Sequence, residues 1–258
     1  MTRRPGFPAR SALSPAPAAA KERPGAGAPR QPMPGPVAPV QGVGLDSGAV
    51  RARMVSRLAA QGIADPRVLA ALGSVERHRF VDTALVNQAY EDTSLPIGLA
   101  QTISKPSVVA RMVELLLAGL PGGKLGRVLE IGTGCGYQAA VLAQVATEVY
   151  SIERLRGLHE KAQANLRPLR LPNVHLLFGD GMVGFAKGAP YAGIIAAAGG
   201  EAVPRTWLDQ LAIGGRIVAP TVMPGGQQAL VVLEKGEREV RQSVLETVHF
   251  VPLKSGIA

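Results

Sequence analysis

The segment Val128–Tyr137 (VLEIGTGCGY) limits what this chain can fold into more than any other stretch. Arg127–Ile131 reads as a short apolar strand, and Gln138–Val145 reads as a helix. Gly132-Thr-Gly-Cys-Gly136 joins them. Glycines at a strand-to-helix turn permit a tight reversal and let the backbone approach a ligand closely. A unit of this kind belongs in an open sheet whose ligand lies at the carboxyl ends of the strands.

The rest of the chain repeats the alternation. Downstream, Glu148–Ile152, Val174–Phe178 and Ala192–Ala197 read as strands, with helices over Arg154–Leu169 and Pro204–Leu211. Arg216–Ala219, Ala229–Glu234 and Ser243–Phe250 read as further strands, the last two as a hairpin. Upstream, Val50, Met54, Val55 and Leu58 recur at helical spacing within Ser47–Gln61. Asp65-Pro66 opens a second helix, since Asp caps and Pro suits the first turn. Tyr90–Ile103 reads as a loop, and a helix follows over Pro106–Ala118. Alternating strands and helices predict an α/β fold. The expectation is a doubly wound, Rossmann-like architecture with a largely parallel sheet, an N-terminal helical segment and a C-terminal β-hairpin.

Three parts are expected. Residues 1–45 are rich in Pro, Ala and Gly with few large apolar groups, and so cannot offset their ordering entropy; a disordered basic tail is predicted. Residues 46–105 form an N-terminal helical and substrate-binding segment, and residues 106–258 form the core. The net charge of +9 divides unevenly between them. The tail holds six basic residues and one acid, whereas residues 46–258 hold 22 basic and 18 acidic residues. The charge therefore says little in favour of nucleic-acid binding by the folded part. A single cysteine, Cys135, excludes an intrachain disulfide and a cysteine-rich zinc site. It suits a reducing, cytoplasmic setting. The four histidines show no metal-ligand spacing, and no apolar run reaches the roughly 20 residues of a membrane span.

Three ligands compete for the glycine loop. A P-loop requires a Gly-Lys-Ser/Thr ending, which is absent. A dinucleotide fingerprint requires a third glycine where Tyr137 stands. S-adenosyl-L-methionine has no pyrophosphate, and its amino-acid end suits the backbone of Gly132, Gly134 and Gly136. Glu130 is placed for its ammonium group, directly or through water. Glu153 ends the next strand, where a carboxylate accepts from both ribose hydroxyls. Asp180 and Gly181 end the third strand, where the acid or its backbone neighbour meets an adenine amino group. Cys135 reads as a small residue beside the ligand, with no histidine pattern to make it a nucleophile.

Beyond the loop, several segments resemble the protein-L-isoaspartate (D-aspartate) O-methyltransferases: Pro96-Ile-Gly-Leu-Ala-Gln-Thr-Ile-Ser104, Val128–Gln138, Gly179-Asp-Gly181 with Ala189-Pro-Tyr191, and Phe250-Val-Pro-Leu253. The likeness runs from about Val55 to the C-terminus. It implies transfer of a methyl group from S-adenosyl-L-methionine to the free α-carboxylate of L-isoaspartyl residues, with D-aspartyl residues as further acceptors. The ester then closes to a succinimide, which starts repair of the damaged protein. The partners implied are isoaspartyl-containing proteins and peptides, acted on by a monomer without nucleic acid, membrane or metal. By resemblance Ser104 is the active-site residue, and Thr102 and Ser104 orient the substrate carboxylate. On sequence physics alone, a cap for the helix beginning near Pro106 is the better reading of Ser104. The sequence departs from the family pattern at Lys105, at Ala196–Gly200 and at Ala219–Gly226. The alternatives are a methyltransferase for a small molecule or RNA, and a non-enzymatic protein that binds altered carboxylates.

Overall fold

A computed structural model describes residues 48–120 and 122–258, so the tail expected over residues 1–45 lies outside the described residues. Two helices open the described chain: α1 (Gly48–Ala60) and α2 (Pro66–Ser74). Asp65 caps α2 as its sequence predicts, its side chain accepting from the Arg67 amide at 2.8 Å. Two 3-10 turns, Arg77–Phe80 and Thr83–Gln88, lead to a small antiparallel hairpin of β1 (Leu95–Gly98) and β2 (Gln101–Ile103).

This hairpin corrects the loop expected over Tyr90–Ile103. Pro96 and Gly98 read as loop formers, yet Leu95, Ile97 and Ile103 are buried, and the strand residues between them face out. That period-two pattern is too short to stand out in sequence. The turn between the strands places Leu99 and Ala100 at φ +51° and +55°, left-handed values that side chains with a Cβ adopt only under strain.

The core is a seven-stranded sheet. Its strands are β3 (Leu125–Ile131), β4 (Ala146–Glu153), β5 (Val174–Phe178), β6 (Tyr191–Ala196), β7 (Leu211–Val222), β8 (Gln228–Lys235) and β9 (Val240–Val248). They lie in the order β5-β4-β3-β6-β7-β8-β9. The first five are parallel; β7, β8 and β9 are joined as antiparallel neighbours. The C-terminal hairpin therefore extends a parallel sheet. β7 is longer than expected, because the helix before it, α6 (Arg205–Gln210), ends early and the chain passes directly into the strand.

Alternation along the strands sorts the side chains between two cores. Val128, Val149, Ile195, Val218 and Leu230 face one side, where they join α3 (Pro106–Leu117), α4 (Tyr137–Val145), α5 (Arg156–Leu166) and the N-terminal helices. Leu129, Ile131, Ile152, Ile194 and Ile217 face the other, with Trp207 of α6. Met54 and Leu58 of α1 and Val68 and Leu72 of α2 are buried in the same cluster as Val141 and Val145 of α4. Residues 48–105 thus share a core with the sheet.

Trp207 is 1% exposed, and its indole Nε1 donates to the Gly181 carbonyl at 2.8 Å. It fills the thinner face and steadies the turn after β5. We predict that Trp207→Ala lowers the unfolding free energy by about 3–5 kcal/mol, measured by denaturant titration; a loss below about 1 kcal/mol, the scale of a typical surface substitution, would contradict this packing.

Candidate active site

The carboxyl ends of β3, β4 and β6 are tied together before the glycine loop begins. The Ile131 carbonyl accepts from the Ala197 amide at 2.8 Å, and the Ile152 carbonyl accepts from Gly132 and Thr133 at 2.8 and 3.2 Å. The chain then turns through Gly132, Gly134 and Gly136 at φ +90°, +57° and +91°, all left-handed. A Cβ on Gly134 would press on Ile97 of the hairpin at 3.2 Å, and one on Gly136 would meet Leu166 of α5 at 2.9 Å. Gly134 therefore serves the loop's approach to the hairpin and Gly136 the packing of α4 on α5, while Gly132 lies against Ala197 and is needed for its left-handed φ.

Glu153 locks this loop. It ends β4, is 4% exposed, and accepts from the Gly134 amide through Oε2 and from the Leu155 amide through Oε1, both at 2.9 Å. Each oxygen retains a lone pair for a further donor.

A cavity of about 410 Å³ opens over this surface. One wall is the hairpin together with Ser104, and it includes Ile97, Leu99 and Thr102. The floor is Ile131–Cys135 with Tyr137 and Gln138. Ile152–Leu155, Gly181, Ala197 and Ala198 continue it, and Val251–Lys254 close the far side. Apolar walls with a few convergent polar groups are what a small-molecule site requires.

The predicted residues divide on this cavity. Thr102, Ser104, Gly132, Gly134, Glu153 and Gly181 line it; Glu130, Gly136 and Asp180 do not. Glu130 lies beneath the loop with no exposure. Its Oε2 accepts from the Ser151 hydroxyl, which lies 2.6 Å from the Thr133 hydroxyl, while Oε1 is buried without a hydrogen-bond partner among the described residues. Burial pushes the Glu130 carboxyl up to about 8, against the favourable contributions of Ser151 and Gln138. Glu130 reaches the cavity through Thr133, which does line it. Asp180 is occupied twice: Oδ1 caps the turn Gly181–Val183 through the Met182 amide at 2.8 Å, and Oδ2 accepts from the Gly256 amide at 2.6 Å. Its backbone neighbour Gly181 is the part exposed to the cavity, and a Cβ there would strike Ile131 at 2.5 Å.

Ser104 is not the helix cap. Lys105 holds that position in α3 without a side-chain bond, and the free Ser107 amide is satisfied from a distance by Asp92 Oδ1 at 2.9 Å. Ser104 is half-buried and lines the cavity. Cys135 is buried, and burial pushes its thiol up to about 11, so it is no nucleophile at neutral pH.

Sequence reasoning assigns no site role to Gln138, Arg154, Ala197 or Val251–Lys254. The last group is the clearest case. The Gly199 amide donates to the Val251 carbonyl and the Leu253 amide donates to the Gly199 carbonyl, both at 2.8 Å, which carries residues 251–254 across the end of β6. The Phe250–Leu253 motif marks the segment, but no pattern in one sequence shows which strand end it crosses.

A family model described as protein-L-isoaspartate(D-aspartate) O-methyltransferase matches residues 49–258. Among similar chains, a protein-L-isoaspartate O-methyltransferase of Methylibium petroleiphilum is 62% identical over 217 residues, spanning 83% of this chain and 81% of its own length. One of Burkholderia mallei is 57% identical over 246 residues, spanning 94% and 75%. A solved protein-L-isoaspartate O-methyltransferase structure superposes with a TM-score of 0.72 at 29% identity, over 80% of this chain and 67% of that one. A Plasmodium falciparum structure, described as a putative member bound to S-adenosyl-L-homocysteine, gives 0.68 at 22% identity, over 79% and 98%, and speaks for the fold alone.

The buried acid generates a pH prediction. Glu130 holds its proton in the folded state up to about pH 8 but releases it near 4.5 when unfolded. Over that interval the folded state binds more protons, so its contribution to stability is full below the lower value and is lost as pH rises through the upper one. Wild type should lose stability relative to Glu130→Gln across this window, by at most about 1.4 kcal/mol per pH unit. Parallel stability curves for the two proteins would contradict the buried, protonated acid.

Proposed function

The chain belongs to the protein-L-isoaspartate(D-aspartate) O-methyltransferase family, and we propose that its cavity holds the methyl donor over the glycine loop and Glu153, with the acceptor carboxylate at Thr102 and Ser104. The reaction is methyl transfer from S-adenosyl-L-methionine to the free α-carboxylate of isoaspartyl residues in proteins.

The residues present fit the donor. The backbone at Gly132 and Gly134 is bare where an amino-acid end must lie close, and Glu153 has acceptor capacity left for ribose hydroxyls. Gly181 offers backbone beside the cavity for the adenine edge. Glu130, unable to touch the ligand directly, shapes the loop through Ser151 and Thr133. Asp180 supports Gly181 by capping its turn. Bound there, S-adenosyl-L-methionine supplies an electrophilic methyl group on a sulfonium.

The protein's own task is then modest. The acceptor carboxylate is already ionised at neutral pH, so no strong base is needed. The hydroxyls of Thr102 and Ser104 hold it without quenching its nucleophilicity, and the apolar walls Ile97, Val109, Leu158 and Leu253 exclude water. Held side by side by these residues, the acceptor carboxylate would take up the methyl group that the donor supplies. Residues 46–105 supply the acceptor side and residues 106–258 the donor side. The finer reading is a cytoplasmic monomer acting on damaged proteins, with D-aspartyl residues as secondary acceptors. The single thiol suits a reducing compartment, and the small charge excess of residues 46–258 speaks against nucleic acid as a partner.

The observation that carries this reading is that Ser104 lines the same cavity as the glycine loop and Glu153, while Lys105 holds the cap position of α3. The test is methyl transfer from labelled cofactor to paired peptides that differ only in isoaspartate or aspartate. We expect labelling of the isoaspartyl peptide alone. Ser104→Ala should lower kcat roughly tenfold or more while leaving cofactor affinity unchanged. Equal labelling of both peptides, or unchanged kcat in the variant, would contradict the assignment.

A further inference from the structure

Arg77 stands out because methyl transfer at the cavity makes no direct use of it. It is a cation with no solvent exposure and, among the described residues, no carboxylate partner in an ion pair. An arginine remains charged in such a place, and buried charges are ordinarily paired. Its Nε donates to the Ala89 carbonyl at 2.8 Å and its Nη2 to the Thr93 carbonyl at 3.4 Å. The guanidinium carbon sits 4.9 Å from the centre of the Tyr137 ring, a cation–π contact. Nη1 is buried without a hydrogen-bond partner among the described residues.

These contacts join the two halves of the cavity. Tyr137 lines it and begins α4 directly after the glycine loop, so one partner of Arg77 belongs to the donor side. Ala89 and Thr93 belong to the segment that leads into the hairpin wall on the other side. Between them lies Asp92, whose carboxylate accepts from the Ser107 amide and so holds the start of α3, three residues beyond Ser104. Two residues past Thr93 the chain enters β1, which pairs with the strand that delivers Thr102. A continuous path therefore runs from the glycine loop through Tyr137, Arg77 and the 89–93 segment to Asp92, α3 and Ser104.

We propose that Arg77 is a positioning residue for methyl transfer, holding the segment that carries Thr102 and Ser104 in register with the glycine loop. Neither ligand touches it. Its effect falls on the alignment of two reactants bound by different segments of one chain, where a displacement of about 1 Å costs on the order of a hundredfold in rate. A guanidinium suits the task because it spans two carbonyls and stacks on a ring at once, which a hydrophobic side chain of similar size does not. The proposal rests on the assignment of the acceptor to Thr102 and Ser104.

The test uses the full chain with Arg77→Met, Arg77→Lys, Asp92→Ala and the Arg77→Met/Asp92→Ala pair. For each, kcat and KM with an isoaspartyl peptide, the cofactor Kd by calorimetry and the melting temperature are measured. Arg77→Met should lower kcat roughly ten- to a hundredfold with a cofactor Kd close to wild type, and Arg77→Lys should recover part of that loss. Asp92→Ala removes an exposed side chain and so keeps the test open should Arg77→Met fail to fold; it must also lower kcat without weakening the cofactor. The pair should lose less than the product of the single losses, because both changes break one path. Wild-type kcat in a folded Arg77→Met protein, or in Asp92→Ala, overturns the proposal, as does a loss matched by an equal loss of cofactor affinity or a fully multiplicative double variant. A normal kcat in Ser104→Ala beside a lowered kcat in Arg77→Met would remove the Ser104 role and leave the positioning role standing.

Discussion

The two hydrogen bonds accepted by Glu153 are the constraint on which the site depends. One oxygen takes the Gly134 amide from the loop after β3, and the other takes the Leu155 amide from the turn after β4. Neither segment is regular structure, and the glycine loop runs through left-handed conformations, with its Gly132 and Thr133 amides held by the Ile152 carbonyl and its Gly134 amide left to Glu153. A carboxylate at the end of the neighbouring strand converts that freedom into a shape. The parallel register of β3 on β4, Ile131 opposite Ile152, brings the acid beside the loop. The sheet supplies the position, the acid supplies the order, and the cavity opens over the result.

Most of this is legible in the sequence because it is local. A strand, a glycine loop and a helix within about twenty residues, repeated in outline twice more, give the parallel sheet and point to three strand ends. Glu153 and Gly181 lie where that reasoning puts them. Glu130 and Asp180 show its limit. Both are acids at strand ends, and position alone does not tell an acid that lines the cavity from one that lies off it. Glu130 faces inward under the loop, and Asp180 serves its own turn and the Gly256 amide. What separates Glu153 from them is its packing surroundings, which a single sequence does not show.

The hairpin wall of the cavity is less legible. The β1–β2 hairpin has seven strand residues and a turn built from Leu99 and Ala100 at positive φ, so it lacks the glycine or asparagine signature of tight hairpins. Its order comes from contacts distant in sequence: Ile97 beside Gly134, and the Ile97 carbonyl accepting from Lys161 of α5 at 2.9 Å. The wall formed by residues 251–254 arises in the same way, from bonds to Gly199. The family motif at Pro96–Ser104 identifies the segment, and the tertiary structure shows what supports it.

If Glu153 organises the donor site, removing its charge must weaken the cofactor. Calorimetric titration of S-adenosyl-L-homocysteine into wild type and Glu153→Gln tests this most directly. An amide side chain keeps the size but loses the charge and one acceptor, and hydrogen bonds to charged groups are worth about 1.5–3 kcal/mol. The expected result is a folded variant whose affinity falls at least about tenfold, the equivalent of roughly 1.4 kcal/mol. Wild-type affinity in Glu153→Gln would contradict it.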